Sequence, residues 1–213
     1  MAVRRPPMVK LPSERITNQL DMVRKQAKNA RKSEVLTELY EKYNYDEIVC
    51  LNLAKNSATC TETREKLAKH SNQVIRLEIA KNSEMLNDEN VLKKLSLDHY
   101  EIRKQVARST KSDSIKELLY RSNPHHVDIR KLCIKRLTNM DIVEKLVFSK
   151  SPEITVPIYV DDLLSNRNIS LRIMLLVLKY VGKLSDEQID LIVEHIENDE
   201  ISLEEMTKIV TED

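Results

Sequence analysis

A basic residue recurs at one place in five successive stretches of this chain. Lys28, Lys55, Lys81, Arg108 and Lys135 repeat with a period of about 27 residues, the signature of a repeat architecture. Each follows a small or aliphatic residue: Ala27, Ala54, Ala80, Ala107 and Ile134. In such architectures one supersecondary unit recurs and buries its apolar face only against its neighbours.

Around each basic residue the apolar positions keep helical spacing. The segments 74–83, 102–110 and 129–138 read as the first helix of a pair, and Leu53-Ala54-Lys55-Asn56-Ser57 repeats the end of that segment earlier in the chain. Val74, Leu77 or Ile79, and Ala80 are the expected core positions of one copy. A second helix follows each. Asp88 stands before Val91, Leu92 and Leu95, Ser114 with Glu117 forms a candidate capping box before Leu118 and Leu119, and Asn139 or Asp141 stands before Ile142, Val143 and Leu146. Ser33 or Thr61 take this part earlier. Leu92, Leu119 and Leu146 recur with the same period as the cations. Polar joints such as Arg121-Ser122-Asn123-Pro124 and Ser149-Lys150-Ser151-Pro152 close the second helices, with proline as the stop.

The pattern degrades after residue 152. Pro157 falls where the next internal arginine belongs, and Asp162 where the next ladder cation belongs. Residues 153–165 therefore read as a broken segment. A buried helix around 169–181 follows, with Gly182 as its C-cap, then helices opened by Ser185 with Gln188 and by Ser202 with Glu205. The expected organisation is a flexible basic arm over 1–12, helical repeats over 13–152, and divergent helices over 153–213 that cap the same stack. The fold class is all-α: a right-handed superhelix, or α-solenoid, of stacked helix pairs.

Composition agrees. One Gly and six Pro in 213 residues suit helices with short connections rather than a many-stranded barrel. With 41% hydrophobic and 32% charged residues the chain has both a core and a solvated exterior. The three cysteines, Cys50, Cys60 and Cys133, are odd in number and form no CxxC, which points to a reducing, cytoplasmic setting. Arg4-Arg5-Pro6-Pro7 with no apolar run after it is not a signal-peptide pattern. The most apolar stretch, 169–181, is interrupted by Ser170, Arg172 and Lys179 and is too short to span a bilayer.

The unit of an aliphatic residue and Arg, four residues, then Ala, a basic residue and Asn or Ser resembles the leucine-rich repeat variant, grouped with the HEAT-like helical repeats. The resemblance covers about residues 18–152 and is carried by Arg76, Arg103 and Arg130 and by the Leu53-Ala54-Lys55-Asn56, Ile79-Ala80-Lys81-Asn82 and Val106-Ala107-Arg108-Ser109 blocks. It implies the right-handed superhelix of paired helices and a recognition surface rather than an activity. Two features depart from the family. Ser57 and Ser83 stand where a proline often follows the Asn, and no cysteine precedes Cys50, so the iron–sulfur cluster of some members has no ligands here.

Charge is the functional signal. The net charge of +1 conceals nine bases against three acids in residues 1–35 and eleven acids against Lys208 alone in residues 184–213. A basic N-terminal region and middle suit an acidic partner. Lys28, Lys55, Lys81, Arg108 and Lys135, thickened by Lys25, Arg31 and Lys32, are the expected partner-binding residues. The bland alternative is that each cation complements a helix C-terminus, worth about 0.3–1 kcal/mol. Arg76, Arg103 and Arg130 read as a structural ladder that bridges adjacent units through carboxylates or carbonyls.

No chemistry-bearing motif is present. GxSxG, HExxH and Gly-rich phosphate loops are absent, and Asp161-Asp162 diverge on a helix. His125-His126 point apart, His70, His99 and His195 stand alone, and the even spacing of Cys50, Cys60 and His70 is no zinc pattern. A DNA-glycosylase-like activity on a HEAT-like fold is disfavoured by the lack of Trp and the single Phe148. The sequence therefore points to a non-enzymatic interaction protein with no metal or other cofactor, binding an acidic protein or peptide. The alternative is a nucleic-acid-binding α-solenoid that uses the same ladder and the arm at Arg4 and Arg5.

Overall fold

The computed structural model describes residues 12–148 and 152–198. Residues 1–11 of the expected arm over 1–12, residues 149–151 of the expected joint and the helix opened by Ser202 lie outside the described residues, while Pro12 and Pro152 each begin a helix. Within them the chain is all-α, with thirteen helices and no strand.

Seven helices belong to one series: α1 (Pro12–Asn29), α3 (Glu47–Lys55), α5 (Gln73–Ala80), α7 (Tyr100–Ser109), α9 (Val127–Arg136), α11 (Pro152–Leu164) and α13 (Asp186–Asn198). Six alternate with them: α2 (Ser33–Tyr43), α4 (Thr61–Leu67), α6 (Glu89–Ser96, preceded by a 3-10 turn at Ser83–Met85), α8 (Asp113–Ser122), α10 (Met140–Val147) and α12 (Leu171–Tyr180). The chain divides into two compact units, one of Met1–Ala80 with Met85–Val91, the other of Lys81–Glu84 with Leu92–Asp213.

Four helices of the first series bury the same three positions. These are Val49, Leu53 and Ala54 in α3; Ile75, Ile79 and Ala80 in α5; Ile102, Val106 and Ala107 in α7; and Ile129, Cys133 and Ile134 in α9. The i, i+4, i+5 spacing puts all three on one stripe. In α5 the stripe is one residue out of the expected register, since Val74 is exposed and Ile75 is the core residue.

In the first unit, α1 packs on α3 and α3 on α5, with α2 and α4 each against two of the series. The N-terminal end of α3 meets both neighbours: Arg24 Nη2, in the C-terminal half of α1, bonds the Asp46 carboxylate at 2.8 Å, and Asn72 Nδ2, just before α5, bonds Glu47 at 3.0 Å. Asp46 is also the N-cap of α3, accepting from Val49 N at 2.9 Å. Hydrogen bonding from Arg24 holds its carboxyl below the usual range against the opposing effect of burial.

In the second unit α7 packs on α9, α9 on α11 and α11 on α13, with α8 against α7 and α9, α10 against α11, and α12 against α11 and α13. Asp128 in the first turn of α9 accepts a short hydrogen bond from the Tyr100 hydroxyl and lies 2.8 Å from Lys104 Nζ, both on α7. The alternating helices are tied as well: α4 to α2 by Lys66–Glu41 at 2.9 Å in the first unit, and α12 to α10 by the Arg172–Glu144 pair at 3.1 Å in the second.

Helix starts follow their capping chemistry, with corrections to the sequence reading. Asp88 caps α6 and Asn139 caps α10, as their spacing predicts. The cap of α8 is Ser112, accepting from Ile115 N at 3.4 Å, so Ser114 is already inside the helix. Ser33 and Thr61 are likewise the first helical residues, behind Lys32 and Cys60, neither of which makes a side-chain cap bond. Ser185 and Gln188 form the reciprocal box at α13, at 3.0 and 3.3 Å. Gly182 is not the C-cap of α12. That helix ends at Val181 in extended conformation, and no left-handed glycine is needed.

The expected break at 153–165 is a continuous helix, α11, with Pro157 inside it. An interior proline costs about 3 kcal/mol. Val156, Tyr159, Val160, Leu163 and Leu164 are all buried on this helix, at about 1.5–3 kcal/mol each, so packing outweighs the proline.

Candidate functional site: exposed cations at satisfied helix ends

All five recurring cations sit at the C-terminal end of a first-series helix, each next to a fully buried residue. Lys28 lies in the last turn of α1, Lys55 ends α3, Lys81 follows α5, and Arg108 and Lys135 are next to last in α7 and α9. All are exposed, as are Lys25 one turn earlier in α1 and Arg31 and Lys32 in the α1–α2 link.

Within the first unit the C-terminal ends of α1 and α3 come together. Asn56 Nδ2, just past α3, donates to Ala27 O at 3.0 Å and Ala30 O at 2.9 Å, and approaches Lys28 O at 3.3 Å. Lys28 and Lys55 thus lie at the same end of parallel neighbours, with Lys25, Arg31 and Lys32 on the α1 side. Within the second unit Asn166, just past α11, donates to Ile134 O at 2.8 Å and Leu137 O at 2.9 Å. That brings Lys135 and the end of α11 together. Asp162 occupies the equivalent place on α11. It faces Lys135 and lies 3.6 Å from Lys131, and burial raises its pKa above the usual carboxylate value.

The orphan carbonyls at helix C-termini are usually left to solvent or to nearby cations. Here buried groups take several of them. Arg64 on α4 is fully buried; its Nη2 donates to Asn56 O at 2.6 Å and its Nε to Thr59 O at 3.0 Å. Lys116 on α8 is buried too, and its ammonium donates to Arg136 O at 2.6 Å, Lys111 O at 3.3 Å and the Asp113 carboxylate at 2.8 Å. Nothing in the sequence singles out Arg64 and Lys116, which carry no signal there beyond being cations on polar helices. Lys25, Lys28, Arg31, Lys32, Lys55 and Arg108 form no ion pair or side-chain hydrogen bond with a described residue.

The internal arginines have three different settings. Arg76 Nη1 donates to His70 O at 2.9 Å and Ser71 O at 2.7 Å, in the turn before its own helix. Arg130 stacks over the Tyr120 ring at 4.1 Å and the Tyr159 ring at 5.4 Å, from α8 and α11. The buried Nε atoms of Arg103 and Arg130 have no hydrogen-bond partner among the described residues.

One concavity joins this edge in the second unit. A cavity of about 380 Å3 is lined by Lys135, Arg136, Ser165, Arg167 and Asn168. Among the described residues no group of His, Cys, Asp and Glu is arranged to hold a metal ion, and no helix is long and apolar enough to cross a membrane. Burial pushes the Cys50 and Cys133 thiols up to about 11 and about 12. Burial also opposes ionisation of Cys60, but hydrogen bonds with Thr37 and Thr63 bring its thiol below the ordinary value.

Comparison of the chain with protein-family models, with curated proteins and with solved structures finds no match in any of the three.

Proposed function

We propose that this chain is a non-enzymatic helical-repeat interaction protein, a right-handed α-solenoid built on the period of its cations, that binds an acidic protein or peptide segment through those cations at its helix ends. The observation that carries this reading is the separation of labour at those ends. Asn56, Arg64, Lys116 and Asn166 bond the terminal carbonyls from inside. Lys28, Lys55 and Arg108 are left without an ion partner among the described residues, and their value to the fold is at most the ~0.3–1 kcal/mol of a dipole interaction. Side chains that do little for stability and project one sign of charge suit long-range attraction of an opposite surface.

The test is a binding measurement with an acidic probe. A fluorescent peptide of alternating Glu and Gly should bind the full chain at low salt, and its affinity should fall steeply as salt rises. A variant with Lys28, Lys55, Arg108 and Lys135 changed to Glu should lose that binding while keeping its helical circular dichroism. Unchanged binding by this variant defeats the proposal. Tighter binding of a single-stranded oligonucleotide, with a salt slope the variant removes, assigns the same cations to nucleic acid instead.

A further inference from the structure

We propose that the cavity between the end of α9 and the α11–α12 loop is a binding site for a phosphomonoester dianion borne by a partner protein, such as a phosphorylated serine or threonine. The proposal rests on the reading of the chain as a binder of acidic partners and gives that reading one discrete contact.

Three of the five described lining residues are cations, Lys135, Arg136 and Arg167, and none of the five is a carboxylate. Arg136 and Arg167 have no ion pair with a described residue. Asp162 is the acid facing Lys135, but it lies against Lys131 and is not part of the lining. Ser165 Oγ donates to Asp161 O at 2.6 Å, so its lone pairs rather than its proton face outward. Asn168 uses one amide proton weakly on Asn166 Oδ1, at 3.3 Å, and retains the other for a ligand.

The walls are fixed before any ligand arrives. Asn166 is almost wholly buried. Its Nδ2 clamps the α9 terminus through Ile134 O and Leu137 O, while its Oδ1 accepts from Asn168 N at 3.0 Å. One side chain therefore sets the loop wall against the helix wall. A helix C-terminus ordinarily repels an anion through its free carbonyls. At α9 that repulsion is reduced, because Asn166 and Lys116 already occupy Ile134 O, Arg136 O and Leu137 O.

The charge count selects the ligand. A phosphomonoester carries about −1.5 to −2 at pH 7 and three acceptor oxygens, a match for two guanidinium forks and an ammonium. A lone carboxylate or a phosphodiester brings about one charge and leaves two cations unneutralised. Among the described residues no aromatic side chain lines the cavity to stack on a nucleobase, which favours a phosphorylated protein over single-stranded nucleic acid.

Amide shifts of the 15N-labelled full chain test this against three probes: acetyl-Gly-phosphoserine-Gly-amide, its unphosphorylated form, and a short thymidine oligonucleotide. The phosphopeptide should shift the amides of residues 136–137 and 165–168 saturably, and the unphosphorylated peptide should not. Arg136→Ala and Arg167→Ala should each weaken binding by about tenfold or more, roughly 1.4 kcal/mol. Their spectra elsewhere report that the fold is kept. Arg167→Lys should retain part of the affinity, since charge persists and the fork is lost. A response that tracks ionic strength without saturating, equal shifts from the unphosphorylated peptide, or saturation by the oligonucleotide at lower concentration would each overturn the proposal. The acidic Glu-Gly probe binding through Lys28, Lys55, Arg108 and Lys135 is unaffected by failure at this pocket, so the two readings fall separately.

Discussion

Among the described residues each unit contains one buried cation on an alternating helix, and the two are used differently. Arg64 in the first unit serves its own hairpin, bonding Asn56 O and Thr59 O, both between α3 and α4. Lys116 in the second unit serves two hairpins at once: Lys111 O before its own helix and Arg136 O at the end of α9. It also neutralises Asp113, whose carboxylate receives Thr138 N, the Thr138 hydroxyl and Asn139 N at 3.0, 2.6 and 2.7 Å. Among the described residues Arg64 has no carboxylate partner, and its buried Nη1 has no hydrogen bond. The first unit instead joins neighbouring hairpins with neutral amides, Asn52 on Arg24 O at 2.9 Å and Asn56 on the α1 terminus. A buried ion pair is costly to assemble and costlier to break from one side, whereas a neutral amide clamp carries smaller stakes both ways.

The sharpest way to break this contrast is to remove each cation. Lys116→Met strands Asp113 and two backbone carbonyls, Lys111 O and Arg136 O, and should cost about 3–5 kcal/mol in urea unfolding. Arg64→Met leaves Thr59 O without its donor, while Asn56 O keeps Thr59 N, and it leaves no unpaired charge; it should cost about 1–3 kcal/mol. An Arg64 variant as damaged as the Lys116 variant would show that the first unit depends on its cation equally.

Next in size are the amide clamps. Asn56→Ala and Asn166→Ala each release two well-made bonds to helix-terminal carbonyls. Each should cost about 1–3 kcal/mol, the Asn166 change more, since Asn166 is the more deeply buried. Equal losses would argue that depth is not what sets the stakes.

These clamps mark where the sequence stops being legible. The buried Ala54, Ala80, Ala107 and Ile134 are readable because burial repeats with the chain's own period, while in α5 the helical spacing points to Val74 and the core residue is Ile75. Ser185 with Gln188 is readable because a capping box is local. Lys116 is not, because nothing within its helix distinguishes a surface lysine from one covered by the end of α9. The sequence makes Arg130 a hydrogen-bonding bridge, but its stacking depends on Tyr120 and Tyr159, which lie on α8 and α11 rather than on its own helix. Pro157 misleads because local propensity is read one position at a time, while the five apolar side chains that hold α11 act together. The cavity at Arg136 and Arg167 joins the end of α9 to the loop that follows α11, in the part of the chain where the period has faded.

A third pair of sites sharpens the comparison through pH. At the N-terminal ends of α3 and α9, Arg24 of α1 holds Asp46 in the first unit and Lys104 with Tyr100 of α7 holds Asp128 in the second. Burial opposes ionisation of Asp128, but Lys104 and Tyr100 together bring it down to about 2 from an ordinary 3.8. A depressed carboxylate contributes stability that is present above its unfolded pKa and lost as pH falls through the folded one. Wild-type stability should therefore decline between about pH 4 and pH 2, and Asp128→Asn should be less stable at pH 7 with a flatter decline across that window. An unchanged acid profile in the variant would remove Asp128 from the account.

The smallest expected effect on stability is the most informative about function. Lys55→Glu in the first unit and Arg108→Glu in the second reverse exposed charges that no described carboxylate pairs with; at Lys55 the neighbouring carbonyls of Leu53 and Asn56 have buried donors, Thr59 and Arg64. Each should change unfolding free energy by no more than about 0.5 kcal/mol, the range of ordinary surface substitutions. If the two differ, the loss should be greater for Lys55, the final residue of α3, because a dipole interaction fades within the last turn. A loss above about 1 kcal/mol would mean that the cations secure the helix ends, leaving little reason to assign them an external partner. Near-zero cost in stability together with loss of acidic-peptide binding is the combination that separates a recognition edge from a helix cap.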